Sequence, residues 1–316
     1  MKTPRKDSFL YLEDIYKIYG VKTILDDIDL AVAAGEVVTL VGPSGCGKST
    51  LLRLILGQEF PTSGTLLIDG QFPGFPDPTR GIVYQKYSLF PHLTVLGNVM
   101  AGPLLSLGFA ERRRRKQELI QEATLYLEKV RLKEHLHKYP HELSGGMRQR
   151  VAIAQSLIMK PKILLMDEPF GALDPGTRES MQMFLLGLWE DIGMTIVFVT
   201  HDLEEAVFLG TRILVLSQYY TDDRGEEAVS RGAKIVCDYT LPRVVNATSV
   251  KESAKFGELI QEIRHQGFDP DYRQHVRDFD LHHELSFRTV REEEYHGQHQ
   301  DYSLLGPSGA NMVKDE

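Results

Sequence analysis

The stretch GPSGCGKST, residues 42–50, most constrains what this chain can become. It follows the apolar run VVTLV and opens the run LLRLIL, so a strand, a glycine-rich loop and a helix come in succession. G-x-x-x-x-G-K-[ST] in that context is a phosphate-binding loop. Gly42, Gly45 and Gly47 let the backbone curl until its N–H groups point inward, with Pro43, Ser44 and Cys46 completing the wrap around the β- and γ-phosphates. Lys48 supplies a mobile cation and Ser49 a hydroxyl for Mg²⁺. Thr50 continues into a helix whose N-terminal dipole favours an anion.

The rest of the chain fits a layered α/β core. Residues 9–42 alternate as short strands broken at Gly20 and Gly35, and the helix after Gly47 stops at Gly57. Residues 86–142 change character: ERRRRKQELIQEATLYLEKVRL puts Leu119, Ala123, Leu127 and Val130 on one face, the mark of a helical insert. RRRR at 112–115 reads as a solvated face, because acidic residues flank it and no aromatics interleave. Helix and strand then alternate to about residue 245, which argues a mostly parallel sheet flanked by helices.

Three later motifs carry chemistry. KILLMDEP is a buried strand ending in Asp167, suited to hold Mg²⁺, and Glu168, suited to polarise an attacking water. VFVTHD ends another strand with His201, expected at the γ-phosphate because ligands of open α/β sheets gather at the carboxyl ends of strands. LSGGMRQR, residues 143–150, places Ser144, Gly145 and Gly146 at a helix start open to an anion. Two anion sites in one chain require an explanation.

With the phosphate loop, LSGGMRQR, LLMDEP, GALD and THD in this order, residues 9–220 resemble the ATP-binding subunit of an ABC transporter. The resemblance implies a P-loop NTPase core with N-terminal antiparallel strands over 8–245, a helical subdomain with the signature motif over about 86–160, and a tail over 246–316. It implies ATP and Mg²⁺ as cofactors, adenine stacked on Tyr19 or less favourably Tyr16, and Gln85 touching both Mg²⁺ and the attacking water. Ser144, Gly145 and Gly146 would close on ATP held by Lys48 of a second copy or a paralogous subunit, with Asp174 in the meeting loop; each anion site is then half of one. Membrane permease subunits would dock near Tyr87, Leu89, Phe90, Leu93 and Val95, and a periplasmic or extracellular solute-binding protein would act indirectly.

The motif wording is similar to that of importers for nitrate, sulfonates and taurine. QSL at 155–157, where ARAL is usual, and LGTR at 209–212, where an aspartate usually precedes the arginine, depart from it. Alternatives are a soluble ABC ATPase of DNA repair or translation, against which stand the lack of a sustained heptad and of an internal repeat, and an exporter ATPase.

Composition agrees with a peripheral subunit at the cytoplasmic face of a membrane. The 316 residues are 42% hydrophobic with net charge -8, which gives no reason to expect nucleic acid as a partner. Two cysteines, Cys46 and Cys237, suit a reducing compartment, and no apolar run has the length of a signal peptide or membrane span. From 241 onward nine basic residues face fourteen acidic ones, so the tail carries most of the negative charge. There GAKIVCDYTLP reads as an edge strand, and KFGELIQEI as an amphipathic helix with Phe256, Leu259, Ile260 and Ile263 on one face. The tail histidines lack the spacing of a zinc site.

Overall fold

In the computed structural model, which describes residues 8–86, 88–224, 231–241 and 254–289, the chain begins with a hairpin. Strands β1 (Leu10–Tyr19) and β2 (Lys22–Val32) pair antiparallel, and the Tyr19–Lys22 match leaves Gly20-Val21 as a two-residue turn. Such turns need positive φ, which Gly20 supplies at 59°. Contacts divide the chain into two compact units, one of Met1–Pro76 with Val199–Glu316 and one of Asp77–Phe198.

The first unit holds two layers of sheet. After β3 (Val37–Val41) and α1 (Lys48–Leu56) comes β4 (Ser63–Ile68), which pairs antiparallel with β1 to give the order β2-β1-β4. All five residues of β3 are buried, as expected of a strand covered on both faces.

In the second unit β5 (Arg80–Tyr84) precedes helices α2 (Val95–Ser106), α3 (Phe109–Lys129) and α4 (Gly145–Leu157). Then follow β6 (Ile163–Asp167), α5 (Pro175–Ile192) and β7 (Thr195–Val199). Strands β5 and β6 run parallel, with β7 beside β6. The three middle helices share a core in which Val99, Leu119, Ala123, Leu127, Val130 and Val151 are buried, the face that the spacing predicts. Burying each such side chain favours folding by about 1.5–3 kcal/mol. The arginine run lies on the outer face of α3, where Arg115 meets Glu118 at 2.9 Å.

The chain returns to the first unit with α6 (Leu203–Leu209), β8 (Arg212–Ser217), β9 (Tyr220–Thr221) and β10 (Lys234–Thr240). Strand β8 is parallel to β3 and antiparallel to β10. The last elements are α7 (Ala254–Phe268), β11 (Gln274–His275), which pairs with β9, and β12 (Asp280–Leu281). The predicted edge strand is therefore an inner one: β12 pairs parallel to its outer side through Cys237 and Asp238. Helix α7 buries Phe256 and Ile263, with Leu259 and Ile260 packed beside them, as its periodicity predicts.

An ion pair ties β10 to its neighbour. Fully buried Arg212 donates to Asp238 through Nε at 2.7 Å and Nη2 at 2.6 Å, and through Nη1 to the Ala31 carbonyl at 2.6 Å. The expected end of the core near residue 245 lies outside the described residues.

Candidate functional site

Strand β3 delivers the chain to Gly42, whose φ of 154° and surroundings exclude any side chain. A Cβ there would stand 2.0 Å from the Leu216 carbonyl oxygen. The loop's crest, Ser44 and Gly45, is exposed, while Cys46 turns inward at 2% exposure. Burial pushes the Cys46 thiol up, so it stays neutral and serves packing. Gly47, at φ 106°, forms the N-cap of α1 and brings no side chain to cap the helix, so the first-turn amides need another acceptor. Lys48 lies folded over the loop, its Nζ donating to the carbonyls of Gly42 at 2.8 Å and Pro43 at 3.0 Å. Ser49 is exposed at the first turn; Thr50 is buried and accepts from Arg53 Nη2 at 3.1 Å. A curled backbone, an uncapped helix start and a lysine held by two backbone carbonyls fit a polyphosphate.

Two other expected residues belong to this unit. Tyr19, 43% exposed, gives its hydroxyl to Glu59, and the Lys17 ammonium lies 4.9 Å over its ring. Glu59 also meets Lys17 and Arg53, each at 3.2 Å. This clamp, joining residues forty positions apart, has no signature in the sequence. His201 is exposed between two anchors: Thr200 donates to Glu205 at 2.6 Å, and Asp202 caps α6 by accepting from the Glu204 and Glu205 amides. A cleft of about 540 Å³ beside His201 is walled by Leu203 and by Ile260, Arg264 and Phe268 of α7. That the tail helix borders the histidine was not legible from the motifs.

The second unit brings the other residues together in two places. Tyr84 and Asp167 end β5 and β6 in register, so Gln85 and Glu168 leave adjacent strand ends together. A Cβ on Gly171 would lie 3.1 Å from Gln85 Nε2 and 3.9 Å from Glu168 Oε2, so the two side chains converge there. Glu168 adopts φ 47°, a left-handed conformation costing a non-glycine residue about 1–2 kcal/mol. Half-buried Asp167 is a hard oxygen donor of the kind Mg²⁺ takes.

The second place is the start of α4. Ser144 caps it, its hydroxyl accepting from the Met147 amide at 3.3 Å. Gly146 is buried, and a Cβ on it would come within 2.7 Å of Thr177 Cγ2. The second glycine thus admits α5, while Gly145 stays half-exposed on the open side. Asp174 caps α5 by accepting from the Thr177 amide at 3.1 Å.

The expected docking segment is divided. Val95 is fully buried in the helical core, which corrects its assignment to a groove rim, while Leu89 packs against that core and stays partly exposed. Phe90 remains 40% exposed and Leu93 half-exposed; Tyr87 lies outside the described residues. Asn98, fully buried, fixes this loop: it accepts from the Phe90 amide at 2.7 Å and donates to the carbonyls of Phe90, Leu93 and Thr94. Nearby, Ile82, Tyr84, Ala152, Gln155 and Met159 line an apolar cleft of about 250 Å³.

Residues 25–171 match the family model described as ABC transporter. The chain is 48% identical to the nitrate import ATP-binding protein of Synechocystis over 66% of its own length and 77% of that protein's. It is 47% identical to the spermidine/putrescine import ATP-binding protein of Nitrosomonas europaea over 70% of its length, and spans 61% of that relative. Among solved structures it is similar to a dimeric bacterial ABC transporter cassette, with TM-score 0.59 and 32% identity, over 74% of this chain and 100% of that one. The fold is also that of cbiO1 from Clostridium perfringens, part of the ABC transporter complex cbiONQ, with TM-score 0.64 at 24% identity, over 82% of this chain and 95% of that one. No helix among the described residues is long and apolar enough to cross a membrane. With the phosphate loop and signature helix in place, these matches assign the chain to the ABC transporter family, as an ATP-binding cassette.

Proposed function

We propose that this chain hydrolyses ATP to drive import of a small solute through membrane permease subunits, working as a dimer of cassettes. The observation that carries this reading is the uncapped start of α1 with Lys48 folded onto its own loop, in a chain whose relatives are named as import ATP-binding proteins. Lys48 would exchange its two carbonyl partners for phosphate oxygens, and the N–H groups of the loop would take the remaining charge. We assign Ser49 of the first unit, and Asp167 and Gln85 of the second, to Mg²⁺; when bound, the ion offsets charge on the phosphates. Glu168 would accept the proton of the attacking water, and His201 would donate to the γ-phosphate. Tyr19 would offer the ring face that Lys17 leaves open to the adenine.

The start of α4 would serve a second copy. Ser144, Gly145 and Gly146 would meet the phosphates held by the partner's Lys48, in keeping with the dimeric cassette to which the chain is similar. Closure is then driven by ATP binding more tightly to the closed dimer than to the open one. Permease subunits would contact Phe90 and the apolar cleft at β5, since exposed apolar side chains on a loop mark partner surfaces. Peripheral attachment at the cytoplasmic face follows from that contact.

For the solute we favour a nitrate-like anion. The chain spans 77% of the Synechocystis nitrate relative and 87% of a nitrate transport protein of Klebsiella oxytoca, but 61% of the polyamine relative. The test is uptake by vesicles holding the complex with its co-purified permease. ATP-dependent accumulation of nitrate supports the reading; accumulation of spermidine alone overturns the solute assignment, and binding to ribosomes or DNA instead of a permease overturns the transport assignment.

A further inference from the structure

Away from every residue used above, β1 and β2 each carry a bulge occupied by an aspartate. Asp14 and Asp27 have φ of 52° and 59°, and the pairing register shifts beside each. One carboxylate oxygen from each of Asp14, Asp27 and Asp29 lies within 4.8 Å of the others. Three carboxylates so close repel strongly at the reduced dielectric of a protein interior unless something positive joins them.

Two further observations point to what joins them. The Asp27 side chain is 6% exposed; its Oδ2 meets Lys234 at 2.6 Å, but its Oδ1 is sealed from water and accepts no hydrogen bond among the described residues. A buried oxygen of that kind is costly to leave unpartnered. Second, a cavity of about 20 Å³ is lined by Asp27 and Asp29, room for one water-sized species. Arg288 lines it too, but its guanidinium bonds the Val276 carbonyl and lies over the Phe279 ring. Its charge remains, so Lys234 and Arg288 bring two positive charges against three carboxylates and leave one without an offset.

We infer that Asp14, Asp27 and Asp29 form a binding site for a hard divalent cation such as Ca²⁺. An all-carboxylate set selects Ca²⁺ or Mg²⁺ over softer metals. The site would also fasten the tail. Asp29 Oδ2 accepts from the Thr289 amide at 2.6 Å while Phe287 stacks on Tyr11 at 5.5 Å, so an ion at Asp29 would tie residues 286–289 to the β1–β2 hairpin.

The test is calorimetric titration of Ca²⁺ into the nucleotide-free, chelator-treated full chain at pH 7.5. One Ca²⁺ per chain, weakened about tenfold or more in Asp29→Asn and in Asp27→Asn but not in Ser49→Ala, is the expected result. Both carboxamides are close in size to the residues they replace, and retained ATP binding checks that the variants fold. No stoichiometric binding up to about 1 mM Ca²⁺, equal binding by folded aspartate variants, or loss in Ser49→Ala would overturn the site. The proposal does not depend on the transport reading, since no nucleotide or permease enters the titration.

Discussion

Lys48 Nζ and the carbonyl oxygen of Gly42 are 2.8 Å apart, so the lysine of the phosphate loop is held by the first glycine of the same loop. Lys48 is only 7% exposed, and its ammonium is held by the loop's own carbonyls. Replacing Lys48 with Ala should leave the fold intact and weaken ATP binding by about 10- to 100-fold, the worth of a charge-assisted hydrogen bond. Equilibrium nucleotide binding with a fluorescent ATP analogue measures it, and unchanged affinity would remove Lys48 from the site.

Asn98 makes four hydrogen bonds to the backbone of residues 90–94 from a fully buried position. Asn98→Ala should cost about 2–4 kcal/mol, because several backbone groups lose their partner at once. Hydrogen exchange should show the amides of Phe90 and its neighbours losing protection before those of α3. Uniform loss across the unit would mean that Asn98 supports the whole helical core and not the loop.

Asp238 neutralises Arg212 where neither reaches water: their side chains are 4% and 1% exposed. Asp238→Asn leaves that buried guanidinium without its closer, bidentate counter-charge and should destabilise the first unit by about 3–5 kcal/mol. Denaturant unfolding measures the loss. A cost under about 1 kcal/mol would show that Glu36, 3.5 Å from Arg212, is sufficient by itself.

The Asp29 carboxyl is held up at about 7 by burial and then by the Asp27 charge, against amide hydrogen bonds from Thr289 and Asp14. Asp14, Asp27, Lys234, Asp238 and Arg288 are the other charged groups around it. Its folded value lies above its unfolded one, so between about pH 4 and 7 the folded chain holds more protons and stability falls as pH rises. In chelator, Asp29→Asn should abolish a fall of about 2–4 kcal/mol across that window. Thermal melts at pH 5 and pH 8 report it; parallel profiles for wild type and variant would contradict the shift.

The nucleotide motifs were legible because each is a run of neighbouring residues whose backbone geometry is local. Gly42 needs a conformation and a clearance that only glycine has, and the strand before it and helix after it are visible as apolar runs. The α7 face was legible from 3.6-residue spacing. What escaped depends on partners far along the chain. Glu59 reaches Tyr19 across forty residues, and β12 covers β10 from another forty-three beyond Cys237. Val95 looked like a loop residue beside Pro91, but Thr94 caps α2, accepting from the Gly97 amide, and so draws Val95 into the helix and its core. Gly146 was legible as a helix-start glycine, but that α5 packs against it through Thr177 was not.

The central claim is that Glu168 drives hydrolysis in a dimer closed on ATP, and Glu168→Gln tests it most directly. The variant retains shape and hydrogen bonding but cannot accept a proton. Phosphate release with Mg-ATP should fall about a hundredfold or more, while size-exclusion chromatography with ATP shows a stable dimer that wild type forms only transiently. Wild-type turnover by the variant, or a variant that stays monomeric with ATP bound, would contradict the account.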